Sequence, residues 1–180
     1  MGVGTIHLKG RKARPWLELS RCETQRTYLL HQVRRLQRAH DSPLETVCDT
    51  VPTDGFYDIH RARMHGEGLY RVYELLYPRD ERRISEQVLA IAGMEGAATL
   101  WLDHGCWRGR RAAFNLRCSQ SESEIIVNWL RRLGLHCMPS QTGGDGRLIV
   151  VNPGYMNSFT KTLRPWVHAS MRHTLRPPVR

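Results

Sequence analysis

Ala97-Ala98-Thr99-Leu100-Trp101-Leu102-Asp103-His104-Gly105 is the stretch around which this chain is organised. Gly96, Ala97 and Ala98 are small enough to let another backbone approach closely, and Trp101 and Leu102 then supply apolar bulk. Gly105 releases the chain from a helix just after an acid and a histidine, an exit for which glycine is the residue best suited. The reading is a small-residue helix whose last turn delivers Asp103 and His104 to a surface. Taken alone, such a helix describes plain core packing. Its setting in the rest of the chain decides what it is.

Working outward, residues 84–102 read as one helical region, broken near Gly93 or Gly96. Downstream, residues 112–118 alternate as a strand, with Phe114 and Leu116 on one face and Ala113, Asn115 and Arg117 on the other. A helix over 122–133 comes next, its stripe formed by Ile125, Ile126, Trp129, Leu130 and Leu133. Strands over 135–138 and 147–151 flank the glycine-rich turn at 143–146, and a helix over 155–163 stops before Pro165. The basic, proline-bearing segment 172–180 is expected to fray.

Upstream the same order is met once already. Thr5-Ile6-His7-Leu8 alternates as a strand, Gly10 to Pro15 is a basic turn, and residues 16–22 form a second strand. That strand places Leu17 and Leu19 on one face and Trp16, Glu18 and Ser20 on the other. A helix over 23–38 carries the stripe Tyr28, Leu29, Gln32, Val33 and Leu36. Strands over 46–51 and 56–61 flank the turn Pro52-Thr53-Asp54-Gly55, and a helix over 68–77 stops at Pro78. Shared residues support a duplication. Ser20-Arg21-Cys22 before a helix with Arg34-Arg35-Leu36 is matched by Leu116-Arg117-Cys118 before a helix with Arg131-Arg132-Leu133. Gly68-Leu69-Tyr70, leading to Pro78, is matched by Gly154-Tyr155-Met156, leading to Pro165. The predicted unit is helix, two strands, helix, two strands, helix, used twice, with the first copy lacking almost all of its opening helix.

Composition narrows the function classes. A chain of 180 residues with 41% hydrophobic content can fill one large domain or two small ones. Its 27 Lys+Arg against 17 Asp+Glu give a net charge of +10, nearly all of it on arginine, whose planar fork suits phosphates and guanine edges. Five cysteines, odd in number and without a C-x-x-C pair, argue against structural zinc and against a disulfide framework. With no apolar run near membrane-spanning length and no signal-peptide pattern, an intracellular protein that meets a polyanion is expected.

With these residues in view, the chain resembles the LAGLIDADG homing endonucleases in their single-chain form with two pseudo-symmetric halves. Ala98-Thr99-Leu100-Trp101-Leu102-Asp103-His104-Gly105 is similar to the family's second motif, and Met1-Gly2-Val3-Gly4-Thr5-Ile6 is similar to the end of its first. Asn115-Leu116-Arg117-Cys118 and the segment from Tyr155 to Pro165 also resemble the family's second half. The resemblance covers nearly the whole chain and rests on order and spacing more than on any single motif. It implies an α+β fold, a duplicated αββαββα arrangement whose two antiparallel sheets form a DNA-binding saddle. The halves would span 1–83, N-terminally truncated, and 84–171, with 172–180 as a basic tail. It also implies site-specific phosphodiester hydrolysis in double-stranded DNA, with Mg²⁺ held by paired carboxylates.

Both catalytic positions depart from that pattern. The residue before each motif glycine should be acidic, yet it is Val3 in the first half and His104 in the second. Valine binds no metal, and a neutral imidazole is a poor Mg²⁺ ligand. Asp103, one position earlier, is the remaining candidate for the metal. The helix that should pack against Ala97 and Ala98 is also missing from the sequence. That leaves a start further upstream, a degenerate copy, or a partner chain supplying the face of an otherwise monomeric protein.

Strand alternation gives the expected readout residues: Trp16, Glu18 and Ser20 in the first half, and Ala113, Asn115 and Arg117 in the second. Lys9, Lys12, Arg14, Arg108, Arg110 and Arg111 lie in strand-adjacent turns where phosphate contacts are expected. Three functions stay open: a homing-type DNA endonuclease, active or recently inactivated; a non-catalytic DNA-binding regulator or intron RNA maturase on the same fold; and a partner-dependent structural protein.

Overall fold

A computed structural model of the chain describes residues 5–7, 15–39, 44–52, 58–141 and 147–178. The chain divides into two compact units, Met1–Arg82 and Arg83–Arg180. Among the described residues, no helix is long and apolar enough to cross a membrane.

The first unit is a four-stranded antiparallel sheet with helices. Strands β1 (Thr5–His7) and β2 (Trp16–Cys22) are followed by helix α1 (Arg26–Ala39), strands β3 (Glu45–Val51) and β4 (Ile59–His65), and helix α2 (Gly68–Leu76). Spatial order is β1-β2-β4-β3. Period-2 alternation on β2 and β4 turns Leu19, Ala62 and Met64 to one side, where Leu29 and Val33 of α1 and Leu44 meet them in a buried cluster. Tyr28, Leu29 and Val33 are the buried part of the predicted α1 stripe, and Leu36 is partly buried against the same cluster.

Two features differ from expectation here. Strand β4 runs to His65 instead of ending near Arg61, because Ala62 and Met64 are both core residues and each pairs with β2, opposite Leu19 and Leu17. Arg21 follows Leu17 and Leu19 in the alternation of β2, and although arginine is rarely buried it is 2% exposed, with its guanidinium over the Tyr28 ring at 5.5 Å and an N–H donated to the Ser20 carbonyl. A planar cation stacked on an aromatic face is how arginine tolerates such a place.

The second unit contains the organising stretch at the end of α3 (Glu86–His104), followed by β5 (Gly105–Arg108), β6 (Arg111–Leu116), α4 (Gln120–Arg132), β7 (Cys137–Gln141), β8 (Arg147–Val151) and α5 (Met156–Leu163). Its sheet order, β5-β6-β8-β7, repeats that of the first unit. The break expected near Gly93 or Gly96 is at Gly93, with φ 53° and ψ −154°, a backbone that side-chain-bearing residues rarely adopt. Helix α4 starts with a capping box: Ser119 Oγ accepts from the Glu122 amide at 3.2 Å, and the Glu122 carboxylate accepts from the Ser119 amide at 2.8 Å.

An aromatic knot holds this unit's core. Trp101 lies edge-on to Phe114 of β6 at 5.6 Å, to Phe159 of α5 at 5.2 Å and to Trp107 of β5 at 5.9 Å. Such edge-to-face pairs add to the burial of large rings. The terminal segment, expected to fray, is tied into this knot instead. A 3-10 helix over Ala169–Leu175 buries Met171 and Leu175. The indole N–H groups of Trp101 and Trp107 donate to the Thr174 hydroxyl at 3.3 Å and the Thr174 carbonyl at 2.8 Å. The buried indole of Trp101 and the half-buried indole of Trp107 each need an acceptor, and this segment provides both. Cys137 is fully buried, and desolvation pushes its thiol up to about 12, which makes it a core residue and no nucleophile.

Candidate nucleic-acid interface

Each sheet has one face against its helices and one facing outward. On the first sheet, register pairing places His7, Trp16, Glu18, Ser20, Arg61, Arg63, His65, Val47 and Asp49 together on the outward face. Trp16, Glu18 and Ser20 are therefore neighbours there, as alternation predicts. His7 stacks on Trp16 at 5.0 Å and 19°, and His65 leans on its other flank at 6.2 Å. Val47, paired with Arg63 on the edge strand β3, is 59% exposed beside these polar side chains.

The arginines of this face are held by acids. Arg61 forms a two-pronged pair with Asp49, at 2.9 and 2.6 Å, and Arg63 donates to Glu18 at 3.0 Å. The hydrogen bond from Arg61 holds the Asp49 carboxyl below the usual carboxylate value, with the guanidinium's charge acting in the same direction, and Asp49 raises Arg61 in return. The pair stays fully charged around neutral pH and has no net charge to offer a phosphate. Sequence reasoning missed Arg61, Arg63, His65, Asp49 and Val47 as members of this face. The signal was present: Arg61-Ala62-Arg63-Met64-His65 is a strict polar and apolar alternation.

The outward face of the second sheet has a different character. Arg108, Arg111 and Asn115 share it and are exposed, while Arg110 and Arg117 are exposed at the ends of β5 and β6. Ala113 belongs to the same face by register but is fully buried, because its methyl group sits between Cys106 and Val150 on the adjoining strands. It has no surface with which to read anything. No ion pair among the described residues involves these arginines. The sequence explains this: residues 105–121 contain no Asp or Glu.

Asp103 and His104 are half-buried in the last turn of α3. The exit from that turn is sterically constrained. A Cβ on Gly105 would lie 2.3 Å from the Trp101 carbonyl oxygen and 2.4 Å from its ring, so only glycine allows β5 to leave the helix so tightly. Among the described residues, no group of three or more His, Cys, Asp and Glu side chains could hold a metal ion. Asp103 supplies one carboxylate oxygen donor there, and a neutral imidazole such as that of His104 is a poor Mg²⁺ ligand. Val3, Lys9, Lys12 and Arg14 lie outside the described residues.

No protein-family model matches the chain, and no curated protein matches it. Solved structures do. The homing endonuclease I-WcaI bound to its DNA recognition sequence superposes with a TM-score of 0.77 at 16% identity, covering 99% of this chain and 82% of that one. Mesophilic variants of the homing endonuclease I-DmoI give 0.63 at 14% identity, over 90% of this chain and 88% of theirs. I-DmoI in complex with DNA and Ca gives 0.59 at 13% identity, over 89% and 81%. Two four-stranded antiparallel sheets with helices, in this order, are the LAGLIDADG homing endonuclease fold.

Proposed function

We propose that this chain binds double-stranded DNA along the outward faces of its two sheets, as a recognition scaffold descended from a site-specific endonuclease that has lost its own catalytic acids. The observation that carries the reading is the outward alternation on both sheets, with Trp16, Glu18, Ser20, Arg61 and Arg63 on one and Arg108, Arg111 and Asn115 on the other. The fold is that of I-WcaI, solved bound to its DNA recognition sequence. Segments 1–83 and 84–171 would each read one half of the site.

On this reading the contacts divide by chemistry. Asn115, amid the arginines, suits a two-pronged contact to an adenine edge, and Val47 suits a thymine methyl. Arg108, Arg110, Arg111 and Arg117 suit phosphates, which position the duplex without reading it. Lys9, Lys12 and Arg14, in the basic turn of the first half, are proposed for the same task.

Catalysis is the part that residue chemistry argues against. A hydrolytic site of this type needs carboxylates to hold Mg²⁺, whose role when bound is to activate water and stabilise the leaving oxygen. With Val3 and His104 before the motif glycines, and only Asp103 beside them, the chain lacks that donor set. The test is Mg²⁺-dependent cleavage of a duplex carrying the DNA that flanks this protein's own gene, run beside a Val3→Asp, His104→Asp double variant. The expected result is binding without cutting by the unaltered protein, and cutting by the variant. Cutting by the unaltered protein would place the metal on Asp103 or elsewhere and overturn the loss of activity. Failure of both proteins to bind any duplex at low salt would overturn the DNA-binding reading itself.

A further expected outcome concerns the first sheet. Asp49→Asn leaves Arg61 without its acid on the proposed DNA face. If the freed guanidinium takes one phosphate, the slope of log K against log salt steepens by about 0.9 and affinity rises about fivefold near 0.15 M salt. Fluorescence anisotropy with a mixed-sequence duplex measures both. An unchanged slope would mean that Arg61 does not face the DNA.

A further inference from the structure

We propose that the second unit carries a separate binding site for a single strand of nucleic acid, on the helix-covered side of its sheet. A cleft of about 1060 Å³ opens between the β5–β6 turn, the start of α5 and the end of the terminal 3-10 helix. Its floor includes Trp107, Met156, Leu175 and Pro177, and its rim carries Arg110, Arg111 and Arg176. A smaller depression of about 200 Å³ shares Thr160, Leu175 and Arg176 with it and adds Lys161, Arg164 and Arg172. The two form one track with six cations along it.

Charge on this track is uncompensated. All six cations are exposed, and none takes part in an ion pair among the described residues. Residues 105–121 and 147–180 contain no Asp or Glu. Cations spread along a groove match a chain of phosphates, whereas a lone anion needs donors that converge on one point.

The floor selects the form of the polyanion. A duplex keeps its base faces stacked inside and shows a groove wall only phosphates and edges, so an apolar floor gains nothing from it. A single strand exposes base faces, which bind aromatic and apolar side chains between phosphate contacts. Trp107 is held for this purpose by its hydrogen bond to the Thr174 carbonyl at 2.8 Å. Trp107 pairs in register with Ala112, on the side opposite Cys106 and Arg108. The apolar part of the track therefore lies on the side opposite the face proposed for the duplex, with Arg110 and Arg111 at the edge common to both, and Lys161, Arg164, Arg172 and Arg176 belong to the track alone, so the inference does not depend on that proposal.

The experiment titrates the full chain against a short fluorescein-labelled oligothymidine and, separately, against a labelled mixed-sequence duplex. The unaltered protein is expected to bind the oligothymidine in a salt-dependent way. Arg164→Ser with Arg172→Ser, both exposed, should weaken that binding about tenfold near 0.15 M salt and flatten its salt slope by about 1.4, at roughly 0.7 per phosphate contact. Met156→Glu should also weaken it, by placing a carboxylate in the floor. Duplex binding should be unchanged by either substitution, while Arg108→Ala with Arg117→Ala should show the reverse pattern. Circular dichroism confirms that each variant is folded. Absence of oligothymidine binding by the unaltered protein would overturn the proposal, as would equal losses on strand and duplex, or no loss from the Arg164 and Arg172 changes. Oligothymidine binding with no duplex binding would leave it standing and sink the duplex reading alone.

Discussion

Trp101→Ala is expected to destabilise the protein by about 3–5 kcal/mol, the range for deleting a large aromatic from a packed core. Trp101 is 2% exposed and lies edge-on to Phe114, Phe159 and Trp107, so its removal opens a hole bordered by three rings from β6, α5 and β5. Rings fixed on three different elements cannot all move inward to fill it. The substitution also takes away the indole donor to Thr174, which loosens the segment ending at Leu175. Urea unfolding at neutral pH measures the loss as a lower midpoint with a similar slope. Ile91→Ala is the control, since Ile91 is 73% exposed and its truncation should change stability by less than about 0.5 kcal/mol. A loss below about 1 kcal/mol at Trp101 would show that the knot is not the core of this unit. Gly105→Ala should destabilise through the opposite cause, overpacking, because its Cβ meets the Trp101 carbonyl oxygen, a backbone atom that cannot swing aside.

Arg108→Ala combined with Arg117→Ala is expected to weaken duplex binding about thirtyfold near 0.15 M salt and to flatten the log K against log salt slope by about 1.8. The arithmetic is that of counterion release: two phosphate contacts, each contributing a slope of roughly 0.9, referred to 1 M salt. Both residues are exposed and neither pairs with an acid among the described residues, so their charge is available to a phosphate. Arg61→Ala provides the contrast. Its guanidinium is already shared with Asp49, so its loss removes little net attraction and should leave the slope nearly unchanged. Asn115→Ala should differ from both, with the slope intact and discrimination between sites reduced, as befits a side chain that reads an edge. Anisotropy titrations over a series of salt concentrations separate the three outcomes. Equal slope changes for the Arg108/Arg117 and Arg61 variants would reject the division of labour between the two sheets.

Much of this architecture comes from local pattern. Leu19 goes inward and Glu18 and Ser20 outward because strand side chains alternate, and the register of β2 on β4 confirms that assignment. Ser119 and Glu122 mark the start of α4 by a spacing of three residues that allows each side chain to cap the other's backbone. At Gly93 the helix breaks because glycine alone adopts that backbone without strain. Repetition of these patterns in the same order pointed to the duplicated fold, and the two sheets have matching strand orders.

What local pattern could not supply depends on partners distant in the chain. Glu18 and Arg63 are 45 residues apart, and Arg61 and Asp49 are 12 apart, so only strand pairing shows that the first sheet's arginines are neutralised. Ala113 alternates outward like a reader, but its neighbours on β5 and β8 cover so small a side chain. Arg21 shares the inward face of β2 with Leu19, but only the fold shows that the Tyr28 ring lies under its guanidinium. The terminal segment looks unanchored from its prolines and arginines, yet two indole N–H groups from α3 and β5 need acceptors, and Thr174 lies where both can reach it. Residue type and spacing were enough for the element order and for the buried and exposed sides of most strands, because those depend on local pattern alone. Tertiary structure alone decided which charges are spent on each other and which stay available to a phosphate, because that depends on what the sheet and the core bring within hydrogen-bond reach.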